Sequence, residues 1–387
     1  VKNLRILHIG EYVVGGMATY LNEVVGYQRQ FFDVYLLMSE YQSATNFELE
    51  PGHILNYKYK RHPKYFVSAM RQILKVIQEL KPDIIHVHSS FAGLLVRGLF
   101  FFQPKKATVF YCSHGWAFLM DTKTLYRKGY FLIEKLMEYK TDVIVNISKY
   151  ELEQSLRLGL SVSKSKLVYN GIRESEASKI IPLSKSSEEK DIIQLLFVGR
   201  YDRQKGLDIV LNMFKKNPEL QQHIRLYVIG DTILEDKVWE FPENVIRLGW
   251  VNNAEIDQYY QQCDAVIMPS RWEGFGLVAI EAMKNHKPVI GSNRGALPEL
   301  IEQGESGYIF DIEHSHELLN ILKNLNKTEL VKMGEAGYAI YKDKFSAARM
   351  NEELVELYYE AYKGASFQEK NVKGSLEFSK RAGDAHD

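Results

Sequence analysis

Four short stretches carry the side chains able to do chemistry, and each follows an apolar run. After 192–198 comes Gly199-Arg200-Tyr201-Asp202-Arg203-Gln204-Lys205-Gly206. Arg200 and Lys205 then stand at the end of a strand, where an Arg fork and a Lys point charge suit a diphosphate. An exposed charged turn would use the same spacing. After 264–268 and Pro269-Ser270 comes Glu273-Gly274-Phe275-Gly276-Leu277-Val278-Ala279-Ile280-Glu281. Its glycines and the helix start leave backbone amides for phosphate or sugar oxygens. Its two carboxylates suit the paired hydroxyls of a sugar and a ribose. If Glu281 faces a core beside Ile280 and Ala282 it needs a polar partner; a pair of surface glutamates is the plainer alternative. After 107–112 comes Ser113-His114-Gly115-Trp116. A histidine there can donate a hydrogen bond to a sugar hydroxyl or the reacting centre, or be purely structural. After 4–9, Gly15-Gly16 precede a helix that starts near Met17. Glycines let amides approach an anion at a helix N-terminus, or simply make a tight turn. The full Gly-x-Gly-x-x-Gly fingerprint is absent. His86 and His88 flank Val87 as sheet positions and have no zinc-site spacing.

These residues need a scaffold that brings strand ends together. Candidate strands are 4–9, 33–38, 83–87, 107–112, 142–147 and 166–169 in the first half. In the second half they are 192–198, 224–229, 245–248, 264–268, 288–291 and 307–310. They run apolar throughout, as strands buried on both faces of a parallel sheet do. Amphipathic stretches lie between them, such as 65–80 with Phe66, Met70, Ile73, Leu74 and Ile77 on one face, ended by Lys81-Pro82. The pattern predicts an α/β protein of two doubly wound domains, 1–175 and 176–345, facing across a cleft. The polar segment 173–191 reads as the linker, 346–364 as a helix returning to the first domain, and 365–387 as a disordered tail.

Composition agrees with a globular chain of this size. The 387 residues exceed what one core usually serves, and apolar and charged residues stand at 45% and 25%. Cys112 and Cys263 form no redox or metal pattern and read as buried thiols of a reducing cytoplasm. The start of the chain reads as a first strand without the parts of a signal peptide, and the run 93–102 is too short to span a bilayer. Net charge is zero but uneven. Residues 1–180 hold 24 Lys/Arg and 16 Asp/Glu, and the remainder 25 and 33. A basic first half suits an anionic membrane or acceptor, or is chance asymmetry of a solvated surface.

Taken together, the ordered motifs resemble the GT-B glycosyltransferases, in particular retaining family 4, the glycosyl transferases group 1. The resemblance covers about 1–360. It rests on the spacing of Glu273 and Glu281, on Gly199-Arg200 with Lys205-Gly206, and on His114-Gly115. Ile147-Ser148-Lys149-Tyr150-Glu151 and Val168-Tyr169-Asn170-Gly171-Ile172 support it. The resemblance implies a cleft binding a nucleotide-diphosphate sugar, a uridine donor being the first choice, with no metal or other cofactor. Arg200 and Lys205 would hold the diphosphate and Glu281 the ribose. Glu273, with the backbone of Phe275 and Gly276, would contact the donor sugar, and the amides of Leu277 and Val278 the distal phosphate. Gly15-Gly16 would approach that phosphate from the other domain, and His114 the sugar near its reacting carbon. The base would sit near Gly230-Asp231 and Gly249-Trp250-Val251, and Asn170 near the domain junction. Gly230-Asp231 departs from the family's longer glycine turn.

The implied acceptor is a saccharide or a lipid-linked sugar, in cell-surface polysaccharide synthesis, with a peripheral membrane contact. Trp116, Phe118, Tyr126, Arg127 and Lys128 would line the acceptor site, lie on a membrane, or pack as an ordinary loop and helix. No Asp-x-Asp metal motif occurs. A GT-B epimerase and a catalytically inactive nucleotide-sugar binder are the alternatives. A phosphorylase would want a longer chain, a nicotinamide enzyme the missing glycine fingerprint, and a nucleic-acid binder a basic groove with spaced aromatics.

Overall fold

Unbroken apolar runs such as Ile84-Ile85-His86-Val87-His88 and Thr108-Val109-Phe110-Tyr111-Cys112 become strands buried along their whole length. The computed structural model describes residues 4–174, 192–232, 239–252 and 255–364. The first sheet contains β1 (Arg5–Ile9), β2 (Asp33–Ser39), β3 (Ile54–Tyr57), β4 (Ile84–His88), β5 (Thr108–Cys112), β6 (Val143–Asn146) and β7 (Ser165–Leu167). Its order is β3-β2-β1-β4-β5-β6-β7, parallel throughout. The second contains β8 (Ile193–Val198), β9 (Ile224–Ile229), β10 (Val245–Gly249), β11 (Ala265–Met268), β12 (Val289–Ser292) and β13 (Gly307–Phe310). Its order is β10-β9-β8-β11-β12-β13, also parallel. In both, the strand order reverses beside the first strand of the domain, the place where open α/β sheets leave a crevice at the strand ends.

The helices that return the chain are α1 (Gly16–Gln28), α2 (Pro63–Leu80), α3 (Ser90–Leu99), α4 (Thr124–Met137) and α5 (Lys149–Leu158) in the first domain. The second has α6 (Leu207–Lys216), α7 (Ile256–Gln262), α8 (Leu277–Lys284), α9 (Leu297–Leu300), α10 (Ser315–Lys323) and α11 (Lys327–Lys344). A last helix, α12, spans 347–364. Local chemistry sets the ends. At α2, Pro63 occupies the first turn, the His62 ring accepts from the Lys64 amide, and Lys81 takes a left-handed φ of 49° ahead of Pro82. The helix starts two residues ahead of the expected 65, because His62 is an unusual cap. Strand β3 was not foreseen. It is an edge strand of four residues with Asn56 exposed, so it lacks the apolar density of its neighbours.

Two chain crossings join the domains side by side. Ile172 N donates to Phe345 O, and Ala347 N donates to Ile172 O at 2.9 Å. A Cβ on Gly171 would stand 2.3 Å from Ser346 O, so only glycine allows this approach. Beyond the second crossing, α12 lies on the first domain, where Met350, Leu354 and Tyr358 are fully buried in a core shared with Phe32 and Phe110. Residues 175–191 of the expected linker and the expected tail, 365–387, lie outside the described residues. Among the described residues, no helix is long and apolar enough to cross a membrane.

Candidate active site

The wall built by the second domain gathers charge. Gly206 (φ 69°) packs so tightly under Pro269 that a Cβ would stand 2.0 Å from Pro269 O. This brings the loop after β8 against the loop after β11. Lys205 Nζ thereby reaches Glu273 Oε2 at 2.7 Å, both groups being mostly buried, and Ser270 Oγ donates to the same oxygen at 3.3 Å. Arg200 is more exposed and bound within its own loop, to Gln204 Oε1 at 3.0 Å and Asp202 at 3.1 Å. Gly276 (φ 105°) starts α8, whose first amides have no side-chain cap. One turn into α8, Glu281 accepts from the buried Tyr260 hydroxyl at 2.7 Å. Burial raises the Glu281 pKa, with Tyr260 and the positive field of Lys284 and Lys205 opposing that rise. The partner that a core-facing Glu281 requires is thus Tyr260. Gly230 seals the neighbouring strand ends: a Cβ there would stand 2.0 Å from Gly199 O, and its amide donates to Gly249 O. Val251 and the exposed Trp250 form the rim beside them.

The wall built by the first domain is neutral. His114 has a left-handed φ of 54° after β5, and its Nε2 lies 2.9 Å from His88 Nδ1. His88 Nε2 lies 3.0 Å from His8 Nδ1, and His8 Nε2 lies 2.9 Å from Gln28 Oε1. Gln28 Nε2 donates to Tyr358 OH, which lies 2.5 Å from His86 Nδ1. With the Gln28 oxygen accepting, each ring donates through Nε2 and accepts through Nδ1. The last Nδ1, on His114, is left as an acceptor, the reverse of the donor role expected for it. Burial keeps the whole series uncharged, pushing His114 down to about 3, His8 to about 4, and His86 and His88 well below the usual imidazole value. His8, His86 and His88 offer nitrogens within 4.8 Å of one another. On His8 and His88 both ring nitrogens already serve hydrogen bonds, so this is a bonded chain of imidazoles before it is a metal site.

The walls touch. Gly15 (φ 55°) starts α1, again without a side-chain cap, and a Cβ on Gly16 would stand 2.8 Å from Cδ1 of Leu277. The uncapped N-termini of α1 and α8 therefore meet, one from each domain, close to the Lys205 loop. Two positive helix ends and a lysine make a site for a multiply charged anion. A Cβ on Gly274 would stand 3.0 Å from Gly115 Cα and 3.1 Å from Glu151 Oε1, so His114-Gly115 and Glu273-Gly274 face each other. At the mouth, Arg203 forms an ion pair of 2.6 Å with Asp121. His114, Glu273, Lys205, Gly15, Gly16, Phe275, Gly276, Leu277, Val278 and Glu281 thus converge, with Arg200, Gly230 and Val251 on the outer side.

The structure also corrects and adds. Trp116 and Phe118 are core residues, not an acceptor or membrane surface. Trp116 Nε1 donates to Asn146 Oδ1 at 3.0 Å, and the two rings stack. Asn170 is buried where the chain crossings meet α12, its carbonyl accepting from Arg349. Two further carboxylates, not among the expected site residues, stand where the domains meet. Glu299 of α9 accepts from the Lys149 and Tyr150 amides at 2.9 and 3.1 Å and from Tyr169 OH at 3.1 Å, so one domain caps a helix of the other. Glu151, already in a noted motif, accepts from the Trp116 amide and is raised to about 8 by burial.

Residues 14–176 match the model of Glycosyltransferase Family 4, and residues 181–343 that of Glycosyl transferases group 1. The chain belongs to the GT-B family 4 glycosyltransferases. A 41.2 kDa protein in the cps region of Klebsiella pneumoniae is 34% identical over 363 residues, 92% of this chain and 99% of that one. The O-antigen biosynthesis glycosyltransferase WbnH of Escherichia coli is 26% identical, covering 75% of this chain and 81% of its own. The structure of Anabaena HepE in complex with UDP-glucose matches in fold, with a TM-score of 0.75 at 18% identity over 92% of this chain and 100% of that one. The glycosyltransferase's two sheets are therefore the two Rossmann-like halves of a GT-B enzyme, as the resemblance implied.

Proposed function

We propose that this glycosyltransferase moves a hexosyl group from a UDP-sugar to a saccharide or lipid-linked acceptor, with retention of configuration and without a metal or other cofactor. It would serve cell-surface polysaccharide synthesis on the cytoplasmic side of the plasma membrane. The observation that carries this is the meeting of two uncapped helix N-termini beside the Lys205–Glu273 pair. The amides of Gly16, Leu277 and Val278 with Lys205 would receive the diphosphate, joined by Arg200 once it leaves Asp202. Glu281 would hold the ribose and Glu273 the sugar hydroxyls, while the base would rest near Gly230 and Val251. His114 would accept a hydrogen bond from a donor-sugar hydroxyl. In the transfer, the bond from the sugar's anomeric carbon to the diphosphate breaks and a bond to the acceptor oxygen forms on the same face. The acceptor's proton passes to the leaving phosphate. Fixed cations and amides stabilise the charge that grows there, a contribution often worth about 3–4 kcal/mol per donor group, which leaves no step that calls for a metal.

UDP complexes of HepE support the choice of base, and WbnH supports an acceptor in surface polysaccharide. Two buried free thiols fit a reducing compartment. The test is calorimetric titration of UDP, GDP and ADP into metal-free protein, beside Arg200→Ala and with chelator present. Binding of UDP alone, weakened in the variant and unchanged by chelator, is expected. Binding that requires added divalent metal, or no preference for UDP, would refute this reading.

A further inference from the structure

Helix α4 buries Met137 and one carboxylate and packs a half-buried Phe131 on the core, yet leaves a row of large apolar side chains exposed. Its buried face carries Glu134, held by Arg97 Nη2 at 2.8 Å and Tyr111 OH at 2.8 Å, beneath a guanidinium that also lies over the Tyr111 ring. Its outward face carries Leu125, Leu132, Ile133 and Leu136, with Leu125 78% and Leu132 67% exposed. Tyr139 (75%) continues this side of the chain, and the 101–102 turn, where Phe102 is 82% exposed, meets it through Lys140, whose ammonium lies over the ring of Phe101. A soluble surface does not usually gather this much apolar area in one place.

Charge shows what covers it. Residues 97–142 contain eight Lys/Arg and four Asp/Glu. Every one of the four carboxylates is paired: Glu134 with Arg97, Glu138 with Lys135, Asp142 with Lys105, and Asp121 with Arg203. Among the described residues, Lys106, Lys123, Arg127, Lys128 and Lys140 have no carboxylate at ion-pair distance. An apolar strip edged by cations that no carboxylate neutralises matches an anionic lipid interface, where the side chains enter the acyl boundary and the cations meet phosphates. We propose that the outward face of α4, with the 101–102 turn, is the surface by which this enzyme sits on an anionic bilayer.

The helix begins at the cleft mouth, three residues after Asp121 of the Asp121–Arg203 contact. A lipid-borne acceptor held in that bilayer would therefore meet the cleft without leaving the membrane. The proposal deepens the acceptor half of the proposed function and rests on it for the acceptor alone.

The experiment is co-sedimentation of the full chain with vesicles of equimolar phosphatidylglycerol and phosphatidylcholine, and with phosphatidylcholine alone. The wild-type chain should bind the anionic vesicles at least about tenfold more tightly than the neutral ones, and salt should weaken that binding. The double variant Leu132→Glu, Ile133→Glu should lose about tenfold or more, while its melting temperature and its UDP titration match wild type. Retention of UDP binding separates this result from a failure of the donor site. Absence of vesicle binding at low salt, or unchanged binding by the folded variant, would overturn the proposal. So would a concentration-dependent dimer that the same variant abolishes, since the face would then belong to a second copy.

Discussion

On the second domain's wall of the cleft, the working groups are ions and backbone amides: Lys205 against Glu273, Glu281 under Tyr260, and the open end of α8. On the first domain's wall they are imidazoles that burial keeps neutral, strung from His114 to Gln28. Both walls stand at the carboxyl ends of parallel strands, so the sheet does not account for the contrast. It follows from what each side chain is buried with. Lys205 finds a carboxylate, and the histidines find only one another, a glutamine and a tyrosine. One wall can therefore balance a charged leaving group, while the other can orient a neutral hydroxyl without adding charge.

Removing the ion pair should have the largest effect. Lys205→Ala leaves Glu273 without its partner and takes away the cation proposed to meet the growing negative charge, so turnover should drop about 10²–10³-fold. Initial rates of sugar transfer measure it, and a loss smaller than tenfold would mean that the charged wall does not carry the reaction. On the neutral wall, His88→Leu keeps the apolar volume but removes the bond that fixes the His114 tautomer. Turnover should fall about tenfold while UDP affinity stays the same. An equal loss in both would show a merely structural histidine.

Two pH predictions sharpen the same contrast. Burial lowers His114 to about 3 and His8 to about 4 in the folded chain, against 6.5 when unfolded, and lowers His86 and His88 in the same direction. Over that window the unfolded chain binds more protons, so stability rises with pH there and is lost as pH falls from about 6.5 towards 4. Melting curves across that range should show the decline, and His8→Gln should make it shallower. Glu151 has the opposite sign, because burial raises its folded pKa to about 8. The stability it contributes is full below its unfolded value of 4.5 and is lost as pH rises through 8. Glu151→Gln should therefore melt slightly higher than wild type at alkaline pH and no higher in mild acid.

The charged wall was legible in the sequence and the neutral one mostly was not. Glycines, a lysine and two glutamates at fixed spacing belong to loops that follow apolar runs, so their order along the chain predicts their meeting. His8, His88 and Gln28 lie 20 to 80 residues apart and sit on apolar elements, where each reads as part of a core. Only parallel pairing of β1 with β4, His8 beside His86, lines them up. Glu299 escaped for a related reason: its partners are the amides at the start of α5, and an amide has no residue signature. For the strands, apolar density was a good guide except at β3, whose edge position lets Asn56 face solvent.

The twin crossing at Ile172 and Ser346 sets how the molecule can breathe. Because both strands of chain pass from one half to the other at a single spot, they act as a fulcrum, and the contacts farther out ride on a lever arm. A small rotation there, absorbed by a few backbone torsions, moves the Asp121–Arg203 pair much farther than it moves Gly171 against Ser346. Entry of a bulky donor and exit of its nucleoside diphosphate then require only the outer latches to let go. The core around Tyr358, packed on Phe32 and Phe110, lies on the first domain's side of that fulcrum.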